Sequence, residues 1–456
     1  VLFSSQIFIL LFLPLVVGIF HSLPASAALR LHLLTFASMV FYGWWDPRFL
    51  PLLVVMIGAN WLIARAYSRS GRSALISIGV ALNLAVLGGF KYANFFAEAV
   101  LGVMGVEFQR WSIILPLGIS FFTFQQISYL VDLRRGEARV YPFADYAAYV
   151  SFFPQLIAGP IVRHNELIPQ FARLAARIDA ECVARGLVLF ILGLCKKVFF
   201  ADELAPLADA GFEIAAAGDL PQTALAWQSA LAYSLQLYFD FSSYSDMAMG
   251  LAGLFGFDLP VNFDRPYRAT SIREFWRRWH MTLSRFLRDY VYIPLGGNRG
   301  GRVMTAVIVL TTMLLCGLWH GAGWAFILWG GAHGLAVCVN QLWAAGGMKM
   351  PAGVAWALTL FFVIVAWVLF RAENLADAAR VLQAMFSNRG GVLEPVAWLY
   401  IVIGGLFALL GPTNAEFAHG RWVAHRGAAI ALGLALVLVV LRVGQGRGLE
   451  FIYFQF

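Results

Sequence analysis

Residues 303–348 form an unbroken run of 46 residues without one Asp, Glu, Lys or Arg. A helix that crosses a bilayer needs roughly 20 mostly apolar residues, because the hydrocarbon core is about 30 Å thick and each helical residue rises about 1.5 Å. This run therefore has room for two passes and a turn between them. Further uncharged runs lie at 1–29, 31–45, 49–64, 73–90, 111–131, 146–162, 220–239, 350–370, 395–415 and 427–441, with a shorter patch near 187–195. Hydrophobic residues make up 61% of the chain and charged residues 13%. A soluble domain holds roughly 45–50% and about 25%, so one water-facing surface cannot hide this much apolar side chain. The expected fold is an all-α polytopic membrane protein of about eleven spans, with re-entrant or interfacial helices where runs are short. No internal repeat or low-complexity linker divides the chain, and a single membrane domain over residues 1–456 is the economical reading. Residues 1–29 lack the basic start and short apolar core of a signal peptide, despite the small-residue stretch Ala25-Ser26-Ala27, and are expected to remain as a first span.

One segment breaks the apolar pattern. Residues 264–302 contain nine arginines against three acids, and this excess of six supplies most of the chain's net charge of +8. The positive-inside rule places such a segment on the cytoplasmic side. Within it Ile272, Phe275, Trp276, Trp279, Leu283, Phe286, Leu287 and Tyr290 recur at steps of three and four, opposite Arg273, Arg277, Ser284 and Arg288. This spacing predicts one basic amphipathic helix lying at the membrane surface and ending before Pro294. Ser271, three residues ahead of Glu274, fits its N-terminal cap.

Candidate chemistry centres on buried ionisable residues. His320 stands inside the long uncharged run, between Trp319 and Gly321. An ionisable side chain at membrane depth is costly and faces a cavity, a partner or a pathway. Imidazole can take a proton from a hydroxyl and return it. A neutral histidine hydrogen-bonded to a neighbouring helix is the bland alternative. His333, thirteen residues on, has the same burial argument, with a structural role favoured. His280 ends the string Glu274-Phe275-Trp276-Arg277-Arg278-Trp279-His280 and could line a cytoplasmic passage or sit at the interface. Asp240, Ser243, Tyr244 and Asp246 form a polar cluster after an uncharged run. They suit a lined cavity, or equally a core in which an arginine pairs with the carboxylates. Gly159-Pro160, after Phe153-Pro154-Gln155, reads as a broken or re-entrant helix. The arginines fit lipid headgroups or the phosphates of an acyl donor. No phosphate-binding glycine loop is present, so ATP-driven pumping is disfavoured, and a basic patch tied to a membrane domain makes nucleic acid an unlikely partner. The cysteines Cys182, Cys195, Cys316 and Cys338 form no CxxC pair and sit at no zinc spacing, so neither a metal site nor a disulfide framework is implied.

Several strings resemble signatures of the bacterial membrane-bound O-acyltransferases, in particular the alginate O-acetyltransferase branch. They are residues 153–160 (FPQLIAGP), 236–248 (QLYFDFSSYSDMA), 274–280 (EFWRRWH), 287–299 (LRDYVYIPLGGNR), 318–321 (LWHG) and 367–373 (WVLFRAE). The resemblance implies a central tunnel, a catalytic histidine at His320 and a second catalytic position at His280. It directs attention to Trp276, Arg277, Arg278, Asn298, Arg299, Trp319 and His333, beside the polar cluster at 240–246, as donor-binding or tunnel-lining residues. The implied activity moves an acetyl group from a cytoplasmic thioester such as acetyl-CoA, across a bacterial inner membrane, to a hydroxyl of a periplasmic serine acetyltransferase or esterase-like partner or of an exopolysaccharide. His320 is then expected to be the general base, and no permanently bound cofactor is expected. The competing readings are a transporter of a polysaccharide or acyl precursor and a non-catalytic scaffold. The transporter reading does not explain an arginine-rich helix forty residues ahead of a buried His-Gly.

Overall fold

The computed structural model describes residues 3–176, 179–392, 394–418, 420, 425–447 and 451–452. Among them every regular element is helical. Six helices are long and apolar enough to cross a membrane: Pro47–Ser70, Ser73–Lys91, Gly301–His320, Trp324–Ala345, Ala352–Arg371 and Arg426–Gln445. Three shorter apolar helices are Phe8–Ser22, Ala93–Val103 and Pro395–Leu410. The chain divides into two compact units, one of Val1–Leu194, Tyr244–Pro260 and Ala418–Gly448, the other of Cys195–Ser243, Val261–Phe417 and Leu449–Phe456. The 32-residue helix Thr223–Leu254 belongs to the second unit up to Ser243 and to the first from Tyr244.

In the first unit, polar groups at depth find one another. Asn83 donates to Asn60 Oδ1 at 2.6 Å between two candidate spans, the way TM helices satisfy buried amides. The helix Ile119–Arg135 is almost wholly buried although it carries Thr123, Gln125, Gln126 and Asp132. Its Asp132 meets His164 Nε2 at 3.2 Å, and His164 Nδ1 meets the Tyr141 hydroxyl at 3.0 Å. The uncharged run 111–131 turns helical only at Ile119, after Pro116 and after Gly118 at φ 71°. Around Gly159-Pro160 the expected break is present. The helix Phe143–Ser151 gives way to the four-residue helix Phe153–Leu156 and then to buried non-helical chain.

In the second unit, the 46-residue run folds as the hairpin Gly301–His320 and Trp324–Ala345. These two helices approach so closely that only glycine fits at the crossing. A Cβ on Gly330 would stand 2.2 Å from the Met313 carbonyl oxygen, and one on Gly317 would stand 2.2 Å from that of Phe326. Close backbone approach at small residues is how membrane helices gain dispersion contact. Gly330→Ala is therefore expected to cost about 1–3 kcal/mol by overpacking and to lower the thermal aggregation midpoint in detergent. Gly331→Ala, whose Cβ would meet nothing nearer than Leu314 at 3.4 Å, should leave that midpoint unchanged.

The amphipathic segment departs from the expected single helix. It forms two short helices, Ile272–Arg278 and Met281–Leu287, broken at His280, followed by a π-helical turn Arg288–Tyr292. The hydrophobic period runs on through the break, so the pattern did not reveal it. The cause is non-local. Asn262 accepts the Met281 N–H on its carbonyl at 2.9 Å, and Asp264 N–H donates to the Arg278 carbonyl at 2.9 Å. These bonds pull the chain out of the helix, and His280 takes φ 43°. The expected cap is present, with Ser271 Oγ accepting from Glu274 N–H at 3.2 Å. Burial pushes the Glu274 carboxyl up, but hydrogen bonds from Thr270 and the Arg278 guanidinium hold it below the usual carboxylate range.

Candidate active site

His320 is the last residue of its helix, not a mid-span residue. Gly321 is extended, and Gly321-Ala322-Gly323 turns the chain into the next helix. The side chain is buried at 3% exposure. Its ring lies edge-on to Trp329 at 5.2 Å and to Phe370 at 5.1 Å, and 4.8 Å from Trp319. Trp329 stacks on Trp367 at 5.5 Å.

The chain brings His280 to the same chamber from forty residues upstream. The His280 and His320 ring centroids are 6.4 Å apart. His280 is fully buried, edge-on to Phe241 at 4.7 Å, and its Nδ1 lies 3.1 Å from Asn262 Oδ1. His333 also packs on Trp329, with ring centroids 4.8 Å apart. Its Nδ1 accepts the Trp276 indole N–H at 3.3 Å.

Trp276 links this chamber to a second feature. It forms part of the wall of a cavity of about 310 Å³ that is also lined by Arg273, Arg277, Arg288 and Asn298. Arg288 is held by Asp289 at 2.7 Å, so the cavity combines the guanidinium groups of Arg273 and Arg277 with a tryptophan wall. Volume places it at the low end of small-molecule sites, about 300–1,000 Å³.

Other sequence-flagged residues lie elsewhere. Arg278 is held by Glu274 at 3.0 Å and Asp264 at 3.1 Å, which makes it a brace for the first short helix. Arg299 is exposed and does not line the cavity. Asp240 is buried with Lys197, at 2.5 Å, so its ionic partner is a lysine rather than an arginine. Ser243 Oγ donates to the Asp240 carbonyl oxygen one turn back. Tyr244 stacks on Phe3 within the first unit, and Asp246, also of that unit, is half-buried. Trp329 and Asn262 escaped the sequence reading, and Trp367 and Phe370 entered it only within a motif string. An indole nine residues beyond His320 was the available signal for Trp329. Asn262 had none. Among the described residues no group of three or more His, Cys, Asp or Glu side chains is placed to hold a metal.

The family model for membrane-bound O-acyltransferases matches residues 122–376. The chain belongs to the membrane-bound O-acyltransferase family. Its matched region contains His280, His320, His333 and the arginine-lined cavity. The chain is 46% identical over 396 residues to a protein named probable alginate O-acetylase from Azotobacter vinelandii, covering 84% of this chain and 78% of that relative. It is 41% identical over 426 residues to a peptidoglycan O-acetyltransferase from Helicobacter pylori, covering 85% and 80%. A teichoic acid D-alanyltransferase from Streptococcus thermophilus matches more distantly, at 29% over 242 residues, half of this chain. The protein is accordingly a multi-pass membrane O-acyltransferase of the alginate O-acetylase-like branch.

Proposed function

We propose that this O-acyltransferase takes an acetyl group from a cytoplasmic thioester such as acetyl-CoA and delivers it to a hydroxyl on the periplasmic side of the inner membrane. The final acceptor is a polysaccharide of the alginate or peptidoglycan kind, reached through a serine of a periplasmic partner or directly. About eleven passes around a tunnel complete the reading, with the arginine-rich segment facing the cytoplasm. One observation carries it: a buried histidine pair, 6.4 Å between ring centroids, shares an aromatic chamber with Trp276, and Trp276 also walls the arginine-lined cavity. The donor's phosphate lies against Arg273 and Arg277, and its acyl end passes Trp276 toward the histidines. These share the proton traffic of an attack by the acceptor hydroxyl on the thioester carbonyl.

The test is reconstitution in vesicles with radiolabelled acetyl-CoA and the periplasmic partner. Label should appear on partner or polymer, and its absence with the correct partner present overturns the reading. In the same assay Arg273→Gln combined with Arg277→Gln should raise KM for acetyl-CoA about tenfold or more while kcat changes little, because hydrogen bonds to charged groups are each worth about 1.5–3 kcal/mol and phosphate binding is equal in ground and transition states. An unchanged KM would remove the cavity from the donor's path.

A further inference from the structure

Asn262 belongs to none of the motif strings, yet it decides how His280 meets the chamber. Asn262 Oδ1 accepts the Thr282 backbone N–H at 3.2 Å and the Thr282 hydroxyl at 2.9 Å, and it faces His280 Nδ1 at 3.1 Å. A backbone N–H can only donate, so the atom it meets is the amide oxygen and not the amide nitrogen. An amide oxygen can only accept, so His280 Nδ1 carries the hydrogen. A neutral imidazole has one N–H, which leaves the lone pair on Nε2. The arrangement is over-determined. Asn262 is 1% exposed, its carbonyl also holds Met281 N–H, and His280 sits at φ 43°, a conformation a non-glycine residue keeps only under such constraint.

The elements packed on the His280 ring present Phe241, Asn262, Phe263, Trp319 and His320. Of these His320 alone titrates. Ring centroids 6.4 Å apart keep the nitrogens of the two histidines at least about 4 Å from each other, too far for a direct hydrogen bond but suited to one intervening oxygen.

Resting on the acyl-transfer reading above, we propose that Asn262 is a positioning residue that makes His280 the proton-accepting member of the pair. The acceptor hydroxyl occupies the space between the rings. Its proton passes to His280 Nε2 as its oxygen bonds to the thioester carbonyl carbon and the carbonyl electron pair moves onto oxygen. Collapse of the tetrahedral adduct breaks the C–S bond, and the thiolate leaves with the proton returned by the imidazolium. An ester and a thiol replace a hydroxyl and a thioester, with no other reactant. His320 donates an N–H to the oxyanion, a role the Nδ1-protonated His280 cannot fill on its chamber side.

Asn262→Asp tests this. A carboxylate oxygen still accepts from Thr282 and from His280 Nδ1–H, so the local fold is kept, while the new negative charge favours the imidazolium. A base must be unprotonated to work, so the acid limb of the kcat–pH profile should move to higher pH by about one unit or more. Thr282→Val, which removes a bond to the same oxygen without touching His280, should leave that limb in place. If wild type transfers acetyl and the Asn262→Asp limb coincides with it, the proposal is overturned; if wild type transfers nothing, the proposed function has failed instead. Should Asn262→Asp not accumulate, His280→Gln decides. Residual transfer by that variant must lack the acid limb, and an unmoved limb overturns the assignment.

Discussion

His320→Ala is expected to lower acetyl transfer by about 10²–10⁴-fold and His320→Gln by much less, with both proteins still extracted and eluting as wild type. The magnitude is that of one positioned acid–base group, or of an oxyanion donor working in a dry site. The surroundings argue that nothing else takes over. His320 is 3% exposed and packed by Trp319, Trp329 and Phe370, so no bulk water reaches the reacting atoms to supply a base. His333 cannot replace it, because Trp329 lies against both rings and the His333 Nδ1 is occupied by the Trp276 indole. The glutamine variant is the sharper of the two. Its volume is close to that of histidine and it keeps an N–H, but it cannot take up a proton. Loss in the alanine variant alone would assign His320 to hydrogen bonding, and loss in both would assign it to proton transfer. Wild-type rates in a folded His320→Ala protein would remove it from the reaction.

What was legible in the sequence divides along the range of the interactions. The pair of helices in 301–345 could be read directly, because absence of charge over 46 residues is a local property, but the turn at Gly321-Ala322-Gly323 could not. The cap at Ser271 and the break near Gly159-Pro160 could be read for the same reason. The segment 272–290 could not. Its three- and four-residue period continues through Trp279-His280, and the bonds that break the helix come from Asn262 and Asp264, eighteen and fourteen residues away from His280 and Arg278. Such bonds leave no trace in periodicity. The arginines show the same limit. Nine in one segment announced a cationic face, but only three-dimensional placement separates Arg273 and Arg277, which line the cavity, from Arg278, which is spent on Glu274 and Asp264, and Arg288, which is held by Asp289. Asp240 read equally as cavity lining, beside its Ser/Tyr cluster, or as the partner of an arginine. Its partner lies forty-three residues upstream in a segment with no motif.

That partner supports the second large effect. Lys197→Met is expected to abolish accumulation of folded protein in the membrane, or to lower its thermal aggregation midpoint in detergent more than any other single substitution considered. The Lys197 ammonium is 2% exposed and lies 2.5 Å from Asp240 and 2.8 Å from Asp202. The Phe451 ring covers it at 4.5 Å, and the other Asp240 oxygen accepts the Ile452 backbone N–H at 2.8 Å. One cation therefore faces two buried carboxylates and, through Asp240, secures a segment more than two hundred residues further along. Removing one partner of a buried pair costs about 3–5 kcal/mol, because the remaining charge keeps its desolvation penalty and loses its compensation. Against a total stability of about 5–15 kcal/mol that loss is large. Neutralising the counter-charges separates this cause from lost packing. Lys197→Met combined with Asp202→Asn and Asp240→Asn should recover part of the stability, since a neutral set leaves no ion without its partner. If the single variant is as stable as wild type, or the triple variant is no better than the single, the cluster is not held by charge balance.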